Sequence, residues 1–456
     1  MKTRSAELLS IWQYAEYGAM RVLTGWGREA GAWDDKLAMC HHAYLQAESV
    51  DTVRQRLKMF PGNPDAPVAR SYETALNVLF LAPSWADAMG ALHEILYPLL
   101  AQAYQHYIAV SHPVHEAPTH AVLREISAAK TPQINWYHEF QARSGYRIDG
   151  DYAGRVRAAL EEVGFQTPLA AEAPFAQPVG KSTSFRMKKA PGRVPGSDLA
   201  PNIMPFLQLN WSGSVETRRL FFMIAYLWEM GVAESQLRWL FYADFMPWEF
   251  IRDEARHMWD ESRHGNSGKV RLENFGLSIE DVGYSSYGAA SKVGDLEAMT
   301  PRDVYEAFYR VTQIAETGYF KTKGYCFEDF RDGGDELSAE MMQFDIIDET
   351  SHTEYGRRWL EAMMQRAGIE EDYQARALQD RQQAFQTSGE KVALYQRFLD
   401  SDESVLPSDN DDLANACLQL KDARARAHYE RLLETVRAQC PLSNAHNAPT
   451  RPHLPM

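Results

Sequence analysis

Residues 253–257 read Asp253-Glu254-Ala255-Arg256-His257, and residues 348–352 read Asp348-Glu349-Thr350-Ser351-His352. Each sets Glu-x-x-His in a stretch of helical periodicity. On a helix, positions i and i+3 lie on one face a turn apart, so a carboxylate and an imidazole there can grip one metal ion. A single pair says little. With 14 histidines roughly one such pair is expected by chance, whereas the chain has three, the third being Glu261-x-x-His264.

The spacing says more. A dimetal site in a four-helix bundle takes one Glu from each of two helices and Glu-x-x-His from each of the other two. In an antiparallel hairpin, residues at equal depth are equidistant from the turn. Glu216 precedes Glu254 by 38 positions, and the midpoint, 235, lies near Met230-Gly231-Val232, read as a helix stop, and Ala233-Glu234-Ser235, read as a new start. Glu316 precedes Glu349 by 33 positions, with its midpoint on the turn Arg331-Asp332-Gly333-Gly334-Asp335. Both hairpins then carry a Glu and a Glu-x-x-His at one depth.

The surrounding chain reads as helix, as in the runs 220–230 (LFFMIAYLWEM) and 305–320 (YEAFYRVTQIAETGYF), where apolar residues recur three and four apart. Strand-like alternation is scarce, so the expected class is all-α. Residues 163–204 are rich in Pro, Gly and Ala and read as a linker or crossing loop, its Arg186, Lys188, Lys189 and Arg193 forming a solvated or partner-docking stretch. The expected divisions are 1–162, a helical bundle; 163–204, the linker; 205–372, the metal-carrying bundle; and 373–456, further helices with turns near 400–412 and a Pro-rich tail after Cys440.

The segment 205–366 resembles the ferritin-like superfamily of dimetal-carboxylate proteins, over about a third of the chain. Asp253-Glu254-x-Arg256-His257 resembles the second-helix motif of several di-iron oxygenases and desaturases. Asp348-Glu349-x-x-His352-x-x-x-Gly356-x-Arg358-Trp359 resembles the fourth-helix motif of a less characterised ferritin-like family. The resemblance implies a ferritin-like four-helix bundle with Glu216, Glu254, His257, Glu316, Glu349 and His352 as metal ligands. By the same analogy Asp253 and Asp348 accept the free N–H of a metal-bound histidine. Carboxylates and imidazoles without thiolates suit two iron ions; manganese or a mixed iron/manganese pair is also compatible.

Other residues have plainer readings. Glu261 and His264 follow Glu254 and His257 by one heptad and are expected at a cap or rim. Pro247 predicts a kink or break before Glu254. Trp211, Trp228, Trp239, Trp248 and Trp259 are expected in the core, and the small Ser212 and Gly213 leave space or allow close packing. The first 140 residues repeat the plan in degraded form, with Glu16, Glu48, Glu94 and Glu125 as carboxylates and Asp51 and Ala128 at the histidine positions. A degenerate bundle without metals follows; His41 and His42 are expected in core or surface roles.

Composition narrows the function. The net charge of −15 disfavours nucleic-acid binding, which needs a basic face. No apolar run reaches the ~18–20 residues of a membrane span. The first residues lack a signal-peptide core, and the four cysteines form no CxxC pair, so a reducing, cytoplasmic setting is expected. The resemblance implies a non-haem di-iron oxidase or oxygenase acting on dioxygen and a small-molecule substrate, the dimetal centre itself being the catalyst. An electron donor and pairing into a homodimer are compatible with it. The alternatives are a non-enzymatic ferritin-like metal-binding or scaffold protein, and a manganese catalase-like peroxide-detoxifying enzyme.

Overall fold

The computed structural model describes residues 4–61, 63–169, 177–187, 200–283, 298–404 and 410–439. The protein is helical, with no β-strand among the described residues. No helix among them is long and apolar enough to cross a membrane. Cys40, Cys326 and Cys417 are buried, and none of the three is in a disulfide. Residues 170–176 and 188–199 of the expected linker, Lys188, Lys189 and Arg193 among them, and the tail from Cys440 lie outside the described residues.

The chain packs as two compact units: Met1–Pro191 with Gln236–Trp259, and Gly192–Ser235 with Asp260–Met456. The helices Val215–Tyr242 and Trp248–Asn274 each contribute residues to both units, so the division runs through helices rather than at the expected boundaries.

In the first unit, Arg4–Trp26 and Trp33–Leu57 pack along each other, and Trp33–Leu57 also packs on Ala117–Ala129. Trp12 meets Tyr104 and Tyr107 edge to face, with centroids 5.2 and 5.4 Å apart. The described residues 177–187 are part of this packing. Val179 is buried, and its carbonyl accepts from Arg21. Gly180 has φ +89°, and a Cβ there would lie 2.8 Å from the Phe80 ring, so both backbone and space call for glycine.

The four glutamates of the expected degenerate site go to separate partners. Glu16 is fully buried, with Lys130 Nζ 2.6 and 2.7 Å from its two oxygens and Tyr104 and Gln46 donating as well. Glu94 accepts from Tyr137 at 2.8 Å and Gln141 at 2.7 Å. Glu48 pairs with Arg252, Glu125 is exposed, and Asp51 accepts from Trp248 at 2.9 Å. A buried ammonium, rather than a ring of carboxylates, marks this unit. Of the neighbouring histidines, His42 is buried and His41 stacks on Trp259.

In the second unit, Pro301–Tyr309, the π-helical turn Arg310–Ala315 and Glu316–Asp332 follow one another and pack on Glu336–Ala367. Thr300 and Asp303 form a capping box ahead of Pro301, which suits a first helical position. The expected turn after Asp332 is present: Gly334 takes φ +75°, and Asp335 caps Glu336–Ala367 by accepting from Ser338 N at 3.2 Å. Asp335 also pairs with Arg219 at 3.0 Å and Arg271 at 2.9 Å, which ties this turn to the two preceding long helices. Tyr373–Asp400, Asp411–Lys421 and Ala423–Gln439 supply the expected C-terminal helices, and Tyr429 stacks on Phe206 at 5.2 Å.

The first long hairpin turns elsewhere than expected. Val215–Tyr242 runs unbroken through Gly231, and the break comes at 243–247, ending in Pro247. One interior glycine costs a helix only about 1 kcal/mol, which burial of Met230 and Ala233 outweighs. Proline costs about 3 kcal/mol in a helix interior and so marks the junction. The hairpin midpoint therefore moves from 235 to about 245.

Candidate metal centre

The shift of midpoint changes which residues face each other. With the turn at 243–247, Glu229 stands opposite Glu261 and Tyr226 opposite His264. Two glycines bring the backbones close: a Cβ on Gly265 would lie 3.0 Å from Met230 N, and one on Gly268 would lie 2.6 Å from Met223 O. His264 Nδ1 is 3.4 Å from Glu229 Oε2 and 3.3 Å from Asp345 Oδ1. Its other nitrogen is 3.1 Å from Asp348 Oδ2, which Arg263 also holds at 2.7 Å.

The second hairpin, turning at Gly333-Gly334, sets Glu316 against His352 and Lys323 against Asp345. The π turn immediately before Glu316 adds one residue to the helical register, a feature frequent at functional sites. Gly356 accommodates it, since a Cβ there would fall 2.4 Å from Gln313 Nε2 and 2.6 Å from Thr312 Oγ1.

The buried ring of His352 lies among three carboxylates. Its Nδ1 is 3.3 Å from Glu261 Oε1, 3.4 Å from Glu316 Oε1 and 3.4 Å from Glu349 Oε2. Its Nε2 is 3.5 Å from Asp260 Oδ2. Glu349 also belongs to a neighbouring group with Glu229, His264 and Asp345, whose ligand atoms all lie within 4.8 Å of one another. Lys323 Nζ sits against this second group, 2.5 Å from Glu349, 2.8 Å from Asp345 and 3.8 Å from Glu229. Tyr226 donates to Asp345 at 3.1 Å.

Electrostatics follow the geometry. Burial pushes Glu229 up to about 8 against the pull of Lys323. Asp345 is raised for the same reason. Burial also opposes ionisation of Glu349, but Lys323 and His352 outweigh it and hold that carboxyl below its ordinary range. Lys323 is held well above its usual value, because Asp345, Glu349 and Glu229 overcome the penalty of burial. His264 and His352 are raised too; the acids around each overcome desolvation.

The expected ligands divide accordingly. Glu316, Glu349 and His352 come together. Glu216 does not join them: it lies in the first turn of its helix, 3.6 Å from Arg437, and Glu229, thirteen residues on, reaches the centre instead. Glu254 and His257 fall in the first unit, where Glu254 accepts from Trp239 Nε1 at 2.5 Å and lies 3.3 Å from His257 Nδ1. His257, as expected a candidate ligand, is one turn before Glu261 on the same helix and belongs with it to one candidate metal-binding group. Asp348 faces a histidine as expected, but that histidine is His264; Asp260, not Asp253, faces His352. Glu261 and His264, expected at a rim, are buried in the centre.

The missed residues had a signal. Asp260-Glu261-Ser262-Arg263-His264 repeats Asp253-Glu254-Ala255-Arg256-His257 one heptad later, on the same helical face. Sequence alone does not say which copy lies at the level of the second hairpin's ligands; the turn position does. Lys323 carried no signal of its own beyond its equal depth with Asp345 about Gly334.

Comparison with protein-family models, curated proteins and solved structures finds no match to this chain.

Proposed function

We propose that this chain is a non-haem metal-dependent oxidoreductase that uses dioxygen to oxidise a small-molecule substrate. One observation carries the reading: two groups of buried carboxylates and imidazoles lie side by side, with Glu349 of one 3.4 Å from the His352 ring of the other. Several buried carboxylates packed together are costly, and a cation relieves that cost. A set of oxygens and imidazole nitrogens without thiolate suits iron or manganese.

Glu261, Glu316, Glu349 and His352 would hold an ion, and Glu229, Asp345 and His264 border a second cation position. Bound iron would supply the reduction of dioxygen, which takes two electrons from substrate and two from an external donor when one oxygen enters the product and the other leaves as water. The protein's part is positional. Asp260 and Asp348 face the outer nitrogens of His352 and His264 and set their ring orientation, and Arg263 steadies Asp348. Tyr226 orients Asp345 through its hydroxyl. Phe222 and Phe330 are buried and meet each other, and Phe222 also meets Tyr226, so the Tyr226 ring is held by apolar packing.

The test is metal content per chain after anaerobic loading with Fe(II) or Mn(II), followed by oxygen consumption with candidate substrates. Stoichiometric iron with substrate-dependent oxygen uptake supports the proposal. Metal without oxygen chemistry moves the protein to a metal-binding scaffold, and no stoichiometric metal removes the reading.

A further inference from the structure

Two candidate cation positions adjoin at Glu349, which belongs to one and faces His352 of the other, and a protein cation already stands against the first. Lys323 Nζ has three carboxylates around it, Glu349 at 2.5 Å, Asp345 at 2.8 Å and Glu229 at 3.8 Å. An ammonium has three N–H donors and no acceptor, so a cluster of carboxylates is the environment that satisfies it. We infer that Lys323 supplies one of the two positive charges of the centre, so that the chain binds a single divalent ion, at Glu261, Glu316, Glu349 and His352. This inference rests on the metal-dependent reading above and refines its stoichiometry.

Three observations favour a built position over an incidental contact. The Lys323 side chain is only 5% exposed, and Asp345 and Glu349 are 2% and 3% exposed, so the ammonium and its two nearest carboxylates are buried, with Glu229 at 19% on the outer side. A buried ammonium is strongly penalised unless paired, which argues against a chance placement. Its partners come from separate helices: Glu229 from Val215–Tyr242, and Asp345 and Glu349, one turn apart, from Glu336–Ala367. The first unit uses the same device independently, with buried Lys130 spanning both oxygens of Glu16.

A second divalent ion would have to displace the ammonium, because both need the same oxygens of Asp345 and Glu349. Like charges at that distance repel. A neutral side chain at 323 would leave those carboxylates without their cation and open the position to a metal.

The experiment is Mn(II) binding to the full-length chain, read by metal content and by electron paramagnetic resonance, for the native protein, Lys323→Gln and Lys323→Arg. The expected result is one Mn(II) per chain with the six-line spectrum of an isolated ion in the native protein. Lys323→Gln should rise to two, with the spectrum of an exchange-coupled pair, and Lys323→Arg should remain at one. Two coupled ions in the native protein overturn the inference while leaving a metal-dependent function standing. A single ion in folded Lys323→Gln also overturns it. No bound Mn(II) or Fe(II) in any form sinks the metal-dependent reading itself. If Lys323→Gln does not fold, the native spectrum alone decides between one ion and two.

Discussion

Lys323 Nζ lies 2.5 Å from Glu349 Oε1, so the carboxylate that joins the two groups of the candidate centre through its contact with His352 is also the one held by a buried ammonium. Removing one partner of a buried ion pair leaves the other charge uncompensated, at about 3–5 kcal/mol. Lys323→Met should therefore lower stability by about that much when no divalent ion is added. A ligand that binds only the folded state restores stability by mass action, so Mn(II) should recover part of the loss. Urea melts with and without Mn(II) measure both effects; an unchanged midpoint in the variant would show that the pair contributes nothing.

The position of the first hairpin turn makes a prediction about metal content. Glu261→Gln should reduce bound metal at least several-fold, because it removes a carboxylate 3.3 Å from His352 Nδ1. Glu216→Gln should leave metal content unchanged, since Glu216 pairs with Arg437 at the start of its helix. Metal analysis of the two purified variants decides the matter, and the opposite pattern would restore the turn near 235.

Close helix approach at Gly268 is checked by a pair of alanine substitutions. A Cβ there would meet Met223 O at 2.6 Å, a backbone atom that cannot rotate away, so Gly268→Ala should cost about 1–3 kcal/mol through overpacking. Gly318 is also helical but faces open space, so Gly318→Ala should stabilise by about 0.5–1 kcal/mol. Denaturant melts should move in opposite directions.

In the first unit, Lys130→Met should strand Glu16 without its cation in a sealed position. The expected cost is about 3–5 kcal/mol in stability with no change in metal content. Loss of metal in the folded variant would mean that this pair does more than hold its own unit together.

Acid sensitivity should include a contribution from His93. Burial drives its imidazole down to about 4, against a hydrogen bond to Met89 that favours the charged ring. The folded value lies below the ordinary 6.5, so the fold prefers the neutral ring. Its stabilising contribution is full above about pH 6.5 and is lost as the pH falls from there through 4, by up to about 3 kcal/mol. His93→Gln should flatten that part of the pH dependence, which urea melts at pH 7.5 and 4.5 would register. An equally steep loss in the variant would point to other groups.

The amino-acid sequence by itself determined the helical class, the Gly333-Gly334 turn and the convergence of Glu316, Glu349 and His352. These are local matters: 3.6-residue periodicity, a glycine tolerant of positive φ, and ligands spaced evenly about a short turn. It also held two copies of Asp-Glu-x-Arg-His a heptad apart, which the helix period presents on the same face and therefore cannot rank. Only tertiary structure decided which of their residues become candidate ligands, His257 from the first copy and Glu261 and His264 from the second. Packing of Met230 and its neighbours carried the helix through Gly231 to the break before Pro247, and that later turn brought Glu229, Glu261 and His264 to the depth of Glu349. Lys323 belongs to the same category. A lysine reads as surface in any sequence, and only the convergence of Glu229, Asp345 and Glu349 from two helices supplies the charge that keeps it buried.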